Sequence, residues 1–151
     1  MESVSASLNS FKPEMGRIQN VLFASTLSTF MNQGRPVTWA PLSDATIKLR
    51  KARAKRGKPP TMGLTTILID QAKLLASVTG NRGEYAQSEV SDNFTIVATS
   101  NPQAARLQKG DPSHNLPARP FLQITPTDRD AALDVLSRGI QSRIIAVQGI
   151  L

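Results

Sequence analysis

Apolar positions recur at helical spacing near both ends of the chain and alternate only in its middle. Phe11, Met15, Ile18 and Leu22 lie four, three and four residues apart, which is one face of a helix, and the stripe drifts on to Phe23, Leu27 and Phe30. Pro13 suits the first turn of that helix, and Gln33-Gly34-Arg35-Pro36 ends it. At the other end Leu133, Leu136, Ile140, Ile144 and Val147 recur at three, four, four and three, predicting a long helix with this stripe on the core. Thr125 and Thr127 each have an aspartate three residues later, and Pro126 as first helical residue favours Thr125 as the cap. Gly139 weakens that helix by about 1 kcal/mol, which implies close packing at its surface.

The middle is more broken. Ser43 is a good cap for a helix through about Arg56, with Leu42, Ala45, Leu49 and Ala52 as a narrow apolar seam. Asp70 is placed to cap a short helix over Gln71 to Ser77, after the apolar run Ile67 to Ile69. Tyr85–Val90 and Phe94–Ala98 read as two strands of a hairpin around Ser91-Asp92-Asn93, after a mobile Gly80–Gly83 connection. Ala104–Gln108 reads as one helical turn. Pro117 and Pro120 stiffen the lead into a third strand, Phe121–Ile124, and aim Arg119. The fold class is therefore α+β: a small, mainly antiparallel sheet packed against two long amphipathic helices, with extended loops. Residues 1–10 read as a flexible N-terminal arm and 11–151 as a single domain.

Charge changes the picture at one place. The chain of 151 residues carries a net +7. Residues 47–58 hold seven basic side chains and no acidic one, while the other 11 basic residues match 11 acidic ones. The whole excess sits on the second helix. Such a face binds phosphates or an acidic protein surface, or is simply solvated. Without aromatics it offers no base stacking.

Catalytic chemistry finds little support. The chain has no cysteine and one histidine, His114, which excludes disulfides and thiolate metal sites and leaves no set of metal ligands. No serine is marked as a partner for His114, and Gly80–Gly83 lacks the spacing and lysine of a phosphate loop. Glu84 and Glu89 fall on opposite faces of their strand. The reading is not an enzyme, with no cofactor and no metal. There is no apolar run of 18 residues and no basic-then-apolar leader, so no membrane partner is expected.

Three boxes carry a resemblance. Pro117-Ala118-Arg119-Pro120-Phe121-Leu122 follows Ala104-Ala105-Arg106-Leu107-Gln108-Lys109-Gly110. Trp39-Ala40-Pro41-Leu42-Ser43 precedes Thr46 and Lys48, and Ile67–Val78 forms a third, weaker box. Together they resemble the Mu-type phage virion morphogenesis family, the tail completion proteins. The family's usual histidine before the glycine is missing, Arg106 stands at a variable or apolar position, and Ala72 replaces a glycine.

The resemblance implies a structural protein of the virion, acting at the head–tail junction as a tail completion, terminator or neck component. It implies a ring of copies, six by the tail's usual symmetry, capping the tail tube or joining it to the head connector. Assembly would take place in the host cytoplasm, with at most passing contact with DNA. Interface candidates are the Trp39 loop, the basic helix, the 80–93 region and the loop before Pro117. The residues expected there are Trp39, Lys51, Arg53, Lys55, Arg56, Arg119 and Phe121. Trp39 also reads as a core or loop anchor, the first reading of a lone indole, and Arg119 as one half of an ion pair inside the domain or across to a neighbour. A small basic DNA-binding protein without sequence preference is the alternative.

Overall fold

The computed structural model describes residues 10–148. The expected N-terminal arm, apart from Ser10, and the last three residues of the C-terminal tail lie outside them. Among the described residues there are five α-helices, one 3-10 turn and a two-stranded antiparallel sheet, so the fold is α+β with helices dominant. The helices are α1 (Lys12–Met31), α2 (Asp44–Lys55), α3 (Lys73–Thr79), α4 (Ala104–Lys109) and α5 (Pro126–Gln148). The strands are β1 (Glu89–Val90) and β2 (Thr95–Ile96), paired Glu89 to Ile96 and Val90 to Thr95.

The caps follow the sequence. The Ser43 side chain accepts from the Thr46 N–H at 3.3 Å. At α5, the Asp128 N–H donates to Thr125 Oγ1 at 3.2 Å, and Asp128 Oδ2 accepts from the Thr125 N–H at 2.8 Å. This is a capping box with aspartate as its acid. Asp70, in contrast, caps nothing. α3 starts after Ala72, at φ +57°, the left-handed conformation that a glycine would take at least cost. Gly34, at φ +115°, turns the chain after α1, and a Cβ there would lie 2.5 Å from the Val37 carbonyl oxygen.

The strands are shorter than the alternation suggests. Beyond β1 and β2 only an isolated Ala86–Thr99 bridge continues the hairpin. Phe121–Ile124 is not a strand. Its ladder partner is a side chain: Gln108 Oε1 accepts from the Phe121 and Leu122 N–H groups at 3.0 and 3.1 Å, and Gln108 Nε2 donates to the Leu122 carbonyl at 2.8 Å.

Two helices turn their apolar stripes the other way from expectation. In α2, Leu49, Ala45 and Ala52 are exposed and Arg50 is buried. In α5, Leu133, Ile140, Ile144 and Val147 remain 53, 46, 51 and 42% exposed. The face of α5 that meets α1 holds Asp128, Gly139 and Arg143. The two helices run antiparallel. Ser25 Oγ donates to Asp128 Oδ2 at 2.7 Å, and the Arg143 guanidinium forks onto both Glu14 carboxylate oxygens at 3.0 and 2.8 Å. Gly139 lets Glu14 in, because a Cβ there would lie 2.6 Å from Glu14 Cγ. Glu14 is paired with Arg143 and Asp128 is hydrogen-bonded by Ser25 and Thr125, so the polar face closes and the aliphatic one stays outside.

The core lies on the other side of α1. Phe30, Trp39, Ile67, Ile69, Leu74, Val78 and Phe121 form one cluster. Phe30 meets Trp39 edge to face at 5.6 Å between ring centroids, and Phe121 at 5.8 Å.

Candidate functional site

The three boxes, far apart in sequence, are one structural unit. Pro117 and Pro120 give up N–H groups, and the Arg119, Phe121 and Leu122 N–H groups are engaged. The Arg119 N–H donates to the Leu107 carbonyl at 2.7 Å, and Gln108 takes the next two. Gly110, at φ +80°, allows this approach, since a Cβ would lie 2.8 Å from Ala118 N. Across the gap, Trp39 Nε1 donates to the Pro120 carbonyl at 3.1 Å. Arg119 Nε and Nη2 donate to the Ala40 carbonyl at 3.2 and 3.1 Å, and Nη2 to the Pro41 carbonyl at 3.1 Å.

The third box is tied in by α2. Arg50 Nη1 donates to the Leu64 and Thr66 carbonyls at 3.1 and 2.7 Å, and its Nε lies 3.7 Å from Asp70. Arg53 also pairs with Asp70. That is why Asp70 is not free to cap α3.

These contacts place the expected site residues. Trp39 and Phe121 are core residues with almost no surface to offer a partner, and the anchor reading of Trp39 fits its position. Arg53 is a half-buried staple. Lys51, Lys55 and Arg56 are exposed, and Lys48, Lys51 and Lys55 share one face of α2. Arg119 is buried, yet no carboxylate meets it among the described residues. The expected internal ion pair is absent because three carbonyl contacts take its place. Burial first, and then the nearby charge of Arg50, hold its pKa below the ordinary arginine value.

Between α2, α4 and the Pro117 segment lies a groove of about 590 Å³. Leu42, Leu49, Leu107 and Leu116 line it, with Arg50 and Arg119 among them. Three guanidiniums, Arg50, Arg53 and Arg119, border it with one carboxylate, Asp70. Its chemistry suits an apolar segment with a negative charge.

A serine, a histidine and an aspartate do meet, in the 3-10 turn Pro112–His114. They are not wired as a relay. Ser113 Oγ and Asp111 Oδ2 both reach the same ring nitrogen, His114 Nδ1, at 3.0 and 2.8 Å. The serine also donates to Asp111 Oδ1 at 2.6 Å. A relay needs the two partners on opposite ring nitrogens. Among the described residues, no group of three His, Asp or Glu side chains is placed to hold a metal, and no helix is long and apolar enough to cross a membrane.

Sequence reasoning missed the long-range polar contacts of Glu14, Arg50, Gln108, Asp128 and Arg143, although it had Asp128 as the acid of the α5 cap. One signal was present. Glu14 interrupts the apolar face between Phe11 and Ile18, a place where a charge needs a buried partner.

Comparison with known proteins gives a consistent result. Residues 1–141 match the phage virion morphogenesis family. The chain is 30% identical over 127 residues to Mu-like prophage FluMu G protein 2 of Haemophilus influenzae, covering 81% of this chain and 72% of that protein. No solved structure matches.

Proposed function

The chain belongs to the phage virion morphogenesis family, and from that premise we propose that it works as a ring-forming component of the head–tail junction. In this reading it is a tail completion, terminator or neck protein. It caps the tail tube or joins it to the head connector, and it does so by assembly rather than by catalysis. The observation that carries the reading is the surface. Two helices present aliphatic stripes to solvent, while the buried polar groups are spent inside the fold, Arg50 and Arg119 on the three boxes and Glu14, Ser25 and Asp128 on the α1–α5 contact. A patch of this kind on a soluble domain marks an interaction face. Copies joined head to tail close into a ring, and six copies are proposed to match the tail. The site of action is the virion, after assembly in the host cytoplasm.

The exposed cations of α2 support a second reading, a basic protein that binds DNA without sequence preference. In the ring reading this helix faces outward or toward a protein partner, because cations lining the lumen would hold back passing DNA. A ring with α2 lining its channel would contradict that placement.

Light scattering on the purified protein separates the two readings. The measurement is made with and without duplex DNA, at low and moderate salt. A discrete oligomer unchanged by DNA supports the ring. A monomer whose mass shifts with DNA only at low salt supports the DNA-binding reading.

A further inference from the structure

The structure leaves two apolar features open, and they are complementary. One is a ridge. Leu133, Ile140, Ile144 and Val147 run along α5 for about 21 Å at 1.5 Å per residue, outside the α1 contact. The other is the groove beside α2, α4 and the Pro117 segment, whose Leu49 is 60% exposed. Ridge and groove cannot meet within one copy. α5 packs on the outer side of α1, and the core that supports the groove lies beyond α1's other face.

Charge points the same way. The groove is bordered by three guanidiniums with one carboxylate, and the buried Arg119 has only carbonyl partners. A buried guanidinium gains most from a carboxylate, which it grips with two parallel hydrogen bonds. On α5 one shoulder of the ridge, that of Asp130 and Asp134, is acidic near its N-terminal end, and Arg129 lies on the other. Asp130 is exposed and has no ion pair among the described residues, and Asp134 is engaged only by Arg138, one turn along the same helix.

We propose that the α5 ridge of one copy seats in the Arg119 groove of the next, with the Asp130 shoulder toward the groove's arginines. The occupant of each feature is thus a second copy of this chain. Because ridge and groove are different surfaces, the contact is heterologous and repeats from copy to copy, the kind of contact a closed ring requires. An isologous α5-to-α5 pairing would instead stop at a dimer and leave Arg119, the one groove arginine that Asp70 does not meet, without a counter-charge. The proposal rests on the ring reading and names the surfaces that build it.

The chain has no cysteine, so single cysteines report contacts cleanly. Leu49→Cys and Ile140→Cys both change exposed residues and should leave the fold intact. Each purified variant is treated alone, and then as a mixture, with a short bismaleimide cross-linker, while light scattering reports the mass of the unmodified protein. The expected result is covalent dimers from the mixture and none from either variant alone. The double variant should give a ladder of multimers. In a separate sample Ile140→Asp should reduce the oligomer to monomer. Oligomers that form without the mixed cross-link, or cross-linking by Ile140→Cys alone, would overturn the ridge-in-groove contact and leave the ring reading standing. A protein that stays monomeric at every concentration would count against both.

Discussion

Gln108 takes the place of a β-strand, and removing its amide should cost as much as breaking a small sheet. Its side chain satisfies the Phe121 and Leu122 N–H groups and the Leu122 carbonyl. Phe121 is buried against Phe30. Gln108→Ala strands three backbone groups. A fully buried orphan costs roughly 1–3 kcal/mol, and water entering the partly open segment recovers some of that, so the expected loss is about 2–4 kcal/mol. For a domain of this size the midpoint of thermal unfolding should fall by about 5–15 °C. Gln108→Glu is the sharper variant. It keeps an acceptor for both N–H groups but sets a carboxylate oxygen against the Leu122 carbonyl, so it should also destabilise at neutral pH. Urea unfolding followed by the fluorescence of Trp39, the one tryptophan, gives the free energies directly. Gln108→Ala within about 0.5 kcal/mol of the parent, the range of an ordinary surface change, would refute the reasoning.

Other outcomes follow from the same contacts. Arg50→Ala should lose about 2–4 kcal/mol, because it leaves the Leu64 and Thr66 carbonyls and Asp70 short of partners. Lys51→Ala on the exposed face should stay within about 0.5 kcal/mol, and equal effects in urea titrations would argue against the inward role of Arg50. Ala72→Gly should stabilise by up to about 1 kcal/mol, since the left-handed conformation costs a side-chain-bearing residue about 1–2 kcal/mol, more than glycine's entropy loss. A lower thermal midpoint would contradict this. Acid should weaken the α1–α5 contact. The Arg143 hydrogen bonds hold the Glu14 pKa below its ordinary value, and at Asp128 burial is outweighed by hydrogen bonds from Ser25 and Thr125 and by the charge of Arg35. Depressed carboxylates contribute stability above their unfolded pKa, about 4, and lose it as pH falls through the folded value. The urea midpoint should therefore drop between pH 5 and lower pH, and Glu14→Gln should flatten that limb. A parent midpoint that stays level would refute it.

Helix positions were legible because their signals are local. Ser43, Thr125 with Asp128, and Pro13 mark ends that the structure keeps, and the isolated Gly139 marked the close approach of Glu14. What each helix faces was not legible. Periodicity shows that α2 and α5 carry apolar stripes, but the inside face was decided by Arg50, Arg143 and Asp128, whose partners Asp70, Glu14 and Ser25 lie elsewhere in the sequence, up to 129 residues away. The run Phe121–Ile124 has strand composition, yet its partner is an amide side chain that no alternation pattern registers. Arg119 was read as half of an ion pair, but two carbonyls of the Trp39 box meet it instead. The boxes that carried the resemblance turn out to be the clasp of the fold, and together with α2 they line the groove proposed to take a neighbouring copy.

The central claim, that this chain completes virion assembly at the head–tail junction, is tested most directly in the particles themselves. Electron microscopy of lysates made with and without this protein should show joined particles in the first case. In the second it should show filled heads separate from tails, or tails of uncontrolled length, with joining or length control restored by the parent protein and not by Ile140→Asp. Normal, infectious particles made in its absence would contradict the account.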